Sequence, residues 1–134
     1  MNAENGKGKN METTQQASTA ELAQQQEAKR IYWFLTRVDG WCFDYWFALG
    51  VCCPRLDEHE EALACFTEAT KIRLTEPRPM YFAGVSFQLL GNIPYAQKAY
   101  TTALACCSDQ PEYQILKETV TQALASCSTE RKVP

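Results

Sequence analysis

Residues 43–107 read FDYWFALGVCCPRLDEHEEALACFTEATKIRLTEPRPMYFAGVSFQLLGNIPYAQKAYTTALACC, and one pattern is written there twice. Trp46, Leu49, Gly50, Cys53, Ala62, Phe66 and Ala69, each moved on by thirty-four residues, fall on Met80, Ala83, Gly84, Phe87, Ala96, Tyr100 and Ala103. The glycine, both alanines of the second half, the aromatic and the large first residue all hold. From Leu49 to Ala83 the side chain shrinks, and from Cys53 to Phe87 it grows. A fixed period of this length marks a repeated pair of helices. Gly50 and Gly84 lack a side chain, so the first helix of a pair (A) can lie close to its second (B). Ala62 and Ala96 leave the same room from helix B. Phe66 and Tyr100 fill the gap toward the next unit. One such unit cannot bury its apolar face alone, so units must stack.

These residues resemble the tetratricopeptide repeat, whose period and small–large pattern they share. The resemblance implies an all-α solenoid of antiparallel helix pairs with a curved inner wall made of the A helices. Taken in order, 1–18 is rich in Asn, Gly, Lys, Gln and Thr and is expected to be disordered. A domain spanning 19–127 follows. Its first part, 19–42, is a half repeat: a helix capped by Thr19 and closed by Gly40, with Ala28, Tyr32 and Leu35 in register with Ala62, Phe66 and Ala69. Its own helix A would cover about 9–22, a stretch with no glycine or aromatic in register.

Repeat 43–76 has helix A to about Leu56, with Pro54 bending or ending it. Asp57 and Glu60 suggest a capping box for its helix B, 58–74. Repeat 77–110 opens on Pro77, turns at Gly91 and restarts at Pro94. Helix 111–127 closes the solenoid with one apolar stripe, Leu116, Val120, Ala123, Leu124 and Cys127. Residues 128–134 are a charged tail.

The run Ile31-Tyr32-Trp33-Phe34-Leu35 is apolar around the whole helix, so it must be covered on more than one side. Without a proper first helix A, Ile31, Trp33 and Phe34 are expected to form a dimer or partner surface.

The chain has 134 residues, net charge −3 and 46% apolar residues, which suits one globular domain. No basic patch is present, so nucleic acid is not an expected partner. No secretory signal and no apolar run of membrane-spanning length occurs, so neither export nor membrane insertion is expected. The seven cysteines form no C-x-x-C, and the single His59 sits in a predicted turn. That spacing holds no metal, and the cysteines are expected to be free thiols packed as small apolar groups. No nucleophile–base pair and no phosphate-binding glycine loop is present, so the reading is of a non-enzyme without cofactors.

In tetratricopeptide units the second, fifth, ninth, twelfth and thirteenth residues of helix A face inward. Here the resemblance assigns Asp44, Phe47, Val51, Pro54 and Arg55 to that wall, then Arg78, Tyr81, Val85, Gln88 and Leu89. Phe82 adjoins it, and the closing helix adds Ile115 at the edge. Phe47 and Tyr81 occupy equivalent positions and are expected side by side. A wall that is apolar in the middle and polar at the rim is a binding groove. Adaptors that clamp a C-terminal carboxylate carry Lys, Asn and Arg at the fifth and ninth positions. Here those positions are Phe47, Val51, Tyr81 and Val85, so the ligand is expected to be apolar and extended.

One branch of these repeats matches more closely. The block Asp44-Tyr45-Trp46-Phe47-Ala48-Leu49-Gly50, then Glu61-Ala62-Leu63, the step Glu76-Pro77-Arg78-Pro79 and Gln88-Leu89-Leu90-Gly91 resemble the chaperones of type III secretion translocator proteins. The resemblance spans about Glu27 to Leu124. It implies a small acidic protein of the bacterial cytoplasm that holds hydrophobic, pore-forming translocators soluble before export. The grip would be on an extended segment in the groove, with a homodimer through the N-terminal helix. Some such chaperones also co-regulate transcription. The alternative is a generic tetratricopeptide adaptor that scaffolds a cytosolic complex.

Overall fold

The computed structural model describes residues 2–132, with side chains described for 19–54 and 56–129. Its described residues form six α-helices and no strand, in the order α1 Asn2–Val38, α2 Phe43–Arg55, α3 His59–Ile72, α4 Pro77–Leu89, α5 Ile93–Cys107 and α6 Gln114–Lys132. A 3-10 turn, Pro111–Tyr113, leads into α6. Each helix packs on the next in sequence, and weaker contacts join α2 to α4 and α4 to α6. That is the all-α solenoid of helix pairs implied by the repeat: α2 with α3, α4 with α5, α1 before them and α6 behind.

The close approach inside each pair has one cause, repeated. A Cβ built on Gly50 would lie 2.5 Å from Cε1 of Phe66, and one on Gly84 would lie 2.4 Å from Cε1 of Tyr100. Phe66 and Tyr100 are fully buried. Each therefore lies across the bare backbone of its own helix A. Around them sit two apolar clusters. Cys53, Ala62, Phe66 and Ala83 form one, and Ala96, Tyr100, Ala103, Val120 and Cys127 form the other. Each cluster spans one pair and its successor, so no pair closes a core by itself.

The turns within the two pairs are also equivalent, and here one expectation is corrected. Asp57 does not cap α3, because it adopts φ 64° and belongs to the end of α2. Its N–H donates to Pro54 O at 3.0 Å, and that of Glu58 donates to Cys53 O at 2.8 Å. The matching pair after α4 is Gly91 N–H to Gln88 O at 3.0 Å and Asn92 N–H to Phe87 O at 2.8 Å, with Gly91 at φ 83°. Both are Schellman ends, which place a left-handed residue just past the helix. Glu58 is the N-cap of α3 and makes no side-chain cap bond. Pro54 is tolerated because it lies in the final turn, and α2 continues through it to Arg55.

Three smaller boundaries also differ. The helix described as α1 begins at Asn2, not at Thr19. The side chains of 1–18 lie outside the described residues, and so does the expectation of disorder there. Gly40 does not close α1 in a left-handed conformation. Asp39 Oδ1 holds the turn instead, accepting from the Trp41 N–H at 3.0 Å, while Gly40 O accepts from Trp46 Nε1 at 2.9 Å. The last helix starts three residues later than Pro111 and runs on to Lys132, beyond Cys127. Asn92 caps α5 by accepting from the Tyr95 N–H at 3.3 Å, a short polar side chain in its preferred place.

Two opposed changes test this account. Overpacking a filled core costs about 1–3 kcal/mol, and the Tyr100 ring that a Cβ on Gly84 would meet is fully buried. Gly84→Ala therefore lowers thermal stability, even though alanine returns about 1 kcal/mol of helix propensity. Asp57→Gly raises stability by about 0.5–1 kcal/mol, because glycine adopts the left-handed conformation without strain. Thermal melts followed at the helical circular-dichroism band check both signs, and a neutral Gly84→Ala contradicts the ring-on-backbone contact.

Candidate functional site

The wall formed by α2 and α4 carries a line of aromatic rings. Phe43 and Phe47 lie one turn apart on α2 and stack at 5.6 Å with an interplanar angle of 11°. Phe82 meets Phe47 at 5.6 Å and Tyr81 at 5.0 Å, both edge-on. Phe82 therefore stands between Phe47 and Tyr81, which are not side by side as their equivalent positions suggested. The reason is helical geometry: neighbours in sequence point about 100° apart. Phe82 turns toward α2 and α3, stacking on Phe66 at 5.9 Å, and Tyr81 turns toward Tyr100 of α5 at 6.1 Å.

The other wall residues divide into floor and surface. Phe47, Val51 and Phe82 are half-buried against the first cluster, and Tyr81 and Val85 against the second. Leu89 is 64% exposed and Ile115 79% exposed, so both offer apolar surface outright. Asp44 is exposed in the first turn of α2, where its charge suits the helix N-terminus. Gln88 is not a free rim residue. Its Oε1 accepts from Tyr100 OH at 2.8 Å and its Nε2 donates to Ser126 Oγ at 3.0 Å, so it ties α4 to α5 and α6.

Arg78 is held from three sides. Its guanidinium lies 4.9 Å from the centre of the Phe47 ring and 5.7 Å from that of Phe43, and Nε donates to Glu76 Oε1 at 2.6 Å. Arg73 covers Phe43 at 4.5 Å. The second oxygen of Glu76 accepts from Tyr113 OH at 3.2 Å. Burial, and then the Glu76 charge, push the Tyr113 phenol above its ordinary range, so it stays a donor. A cleft of about 460 Å³ opens here, lined by Glu76, Arg78, Tyr81, Phe82, Glu112, Tyr113 and Leu116. The Glu-Pro step was visible in the sequence. Its partner Tyr113 lies thirty-seven residues on and was not.

A second surface lies on α1. Thr36 is buried and Tyr32 and Leu35 are half-buried, so this face meets α2. Ile31, Trp33 and Phe34 are 50%, 51% and 60% exposed. Trp33 and Phe34 line a cleft of about 600 Å³ with Gln26, Lys29, Arg30, Leu56 and Glu58. The α1–α2 packing thus leaves open the side that the apolar run required to be covered.

No disulfide joins any of the seven cysteines. The fold nevertheless gathers ligand types that the spacing did not join: Cys53, Glu58 and Glu61 have ligand atoms within 4.8 Å of one another. The Lys29 ammonium lies among the carboxylates, bonded to Glu58 and, at 2.8 Å, to Glu61. Hydrogen bonds to Glu58 and Glu61 raise the Lys29 pKa. A hydrogen bond with Cys65 and burial push the Cys53 thiol up, so it stays protonated. The cluster is an ion-pair clasp between α1 and the start of α3. No described helix is long and apolar enough to cross a membrane.

No family profile matches the chain, and no characterised protein matches it in sequence. Solved structures do match. The translocator chaperone SycD of Yersinia enterocolitica superposes with a TM-score of 0.80 at 16% identity, over 92% of this chain and 88% of its own. The chain therefore shares the fold of SycD. SycD in complex with a peptide of the translocator YopD gives a TM-score of 0.78 at 17% identity, over 90% and 96% of the two chains. PcrH of Pseudomonas aeruginosa, in complex with the chaperone binding region of PopD, gives 0.79 at 22% identity, over 90% and 96%.

The clasp has a pH signature. The hydrogen bond from Lys29 lowers the Glu61 pKa in the fold, so this contribution is present above the ordinary carboxylate range and is lost as pH falls through the lowered value. Lys29 is raised in the fold by the same pairs, so on the alkaline side the clasp is lost only in strong alkali. Lys29→Met therefore flattens the acid limb of the stability–pH curve below about pH 4.5, the ordinary carboxylate range. Urea midpoints measured across the acid range check this, and parallel curves for parent and variant contradict it.

Proposed function

We propose that this chain is a bacterial cytoplasmic chaperone that holds an extended apolar segment of type III secretion translocator proteins in its concave groove, keeping them soluble before export. The observation that carries the reading is the aromatic wall Phe47–Phe82–Tyr81, left partly open beside a cleft of mixed apolar and charged lining, in a fold whose solved examples include complexes with translocator peptides. Tyr81 and Leu89 meet the ligand; Phe47, Val51, Phe82 and Val85 build the floor. Arg78 and Asp44 serve the rim, and Gln88 fixes the far end through α6. The roles are those of a binding protein, with no catalytic step and no cofactor.

The chemistry suits the task. Burying about 500 Å² of apolar surface yields roughly 12 kcal/mol gross. Ordering the segment and losing rigid-body freedom takes back much of this, leaving affinity near the micromolar range. A chaperone needs that compromise, since its cargo must also leave. In the same reading, 19–42 is a half repeat, 43–76 and 77–110 are full repeats and the last helix is the cap. The half-exposed Ile31, Trp33 and Phe34 support a homodimer through α1. A generic adaptor would leave the solubility of a membrane-active partner unchanged on co-expression, whereas a chaperone rescues it.

Two measurements follow. Phe47 packs on Phe66 and Phe82 and Tyr81 on Phe82 and Tyr100, so both rings bear on the fold; Tyr81→Ala with Leu89→Ala is the probe once its thermal melt shows that the fold is kept. The pair weakens binding of labelled N-terminal translocator segments by about 2 kcal/mol with helicity retained. Equal affinities would place the segment elsewhere. Sedimentation at micromolar concentration gives a dimer that Trp33→Glu converts to monomer, and a monomeric parent would refute the α1 interface.

A further inference from the structure

We infer that the cleft at the corner of α4 and α6 is a charge-selective subsite of the groove, which favours a basic over an acidic side chain beside the apolar residue that it receives. The inference rests on the groove reading and adds the kind of sequence the groove selects. The apolar residue enters between Tyr81, Phe82 and Leu116, the carbon-rich part of the lining. Three charged groups rim the cleft: Glu76, Arg78 and Glu112.

Two of these charges are already matched. Both oxygens of Glu76 are spent, one on Arg78 Nε and the other on Tyr113 OH, and its side chain is 10% exposed. Arg78 keeps 43% of its side chain exposed while its position is set by Glu76 and by the Phe43 and Phe47 faces. A guanidinium carries five N–H donors, and Nε spends one on Glu76. The remainder suits a backbone carbonyl of an extended segment, oriented at no extra ordering cost. A ligand carboxylate would gain little there, because Glu76 offsets the Arg78 charge. Among the described residues the rim charge without an ion pair is Glu112, exposed in the 3-10 turn before α6. It attracts a cationic side chain and repels an anionic one.

A displayed library of random twelve-residue peptides, selected against the parent, Glu112→Lys and Tyr81→Ala proteins, tests this. Peptides selected on the parent are expected to carry Lys or Arg within two residues of their apolar anchor. Exchanging that residue for Glu weakens binding several-fold at low salt, and the difference shrinks as salt rises. Glu112→Lys, an exposed position, reverses the preference. Peptides that need Tyr81 yet show the same charge preference on parent and Glu112→Lys overturn this inference and leave the groove reading standing. A library that yields no Tyr81-dependent binder overturns both.

Discussion

Everything in this solenoid depends on an aromatic ring lying against bare backbone. Phe66 covers Gly50 and Tyr100 covers Gly84, each with space for no further carbon. The contact sets how near the two helices of a pair can come, and so where the wall residues of α2 and α4 stand. It also explains why glycine, alanine and the ring recur together. Loss of any one leaves either a clash or a cavity. Ring and glycine belong to the same pair, so the geometry propagates along the stack without long-range contacts.

The aromatic wall is built from the residues left over by that packing. Phe82 turns inward to stack on Phe66 and meets Phe47 on the way, so the wall is continuous from α2 to α4. Tyr81 turns the other way and leans on Tyr100. Floor and core are therefore the same set of rings seen from two sides. At the C-terminal end, Tyr113, Glu76 and Arg78 join the capping helix to the wall, and Gln88 does so again further along. The cap is thus tied to the wall as well as closing the core.

The N-terminal end is built differently. α1 is held by one apolar face and by the clasp of Lys29 with Glu58 and Glu61. Charges joined across helices orient a partner more than they stabilise it. The same helix leaves Trp33 and Phe34 half-exposed, which a further protein surface can cover.

The repeat period and the all-helical class were legible in the sequence, because each rests on local periodicity and on glycine and alanine at fixed spacing. The equivalence of Asp57 and Gly91 was half visible: thirty-four residues separate them, yet aspartate reads as a cap and glycine as a helix end. Only backbone conformation decides between those roles. The intrusion of Phe82 between Phe47 and Tyr81, the loss of Gln88 to the capping helix, the Tyr113–Glu76–Arg78 chain and the Lys29 clasp were not legible. Each joins side chains from separate helices, and which of them meet depends on helix rotation and separation. Those are set by the packing of Phe66 and Tyr100 on their glycines, a tertiary fact that no one-dimensional spacing contains.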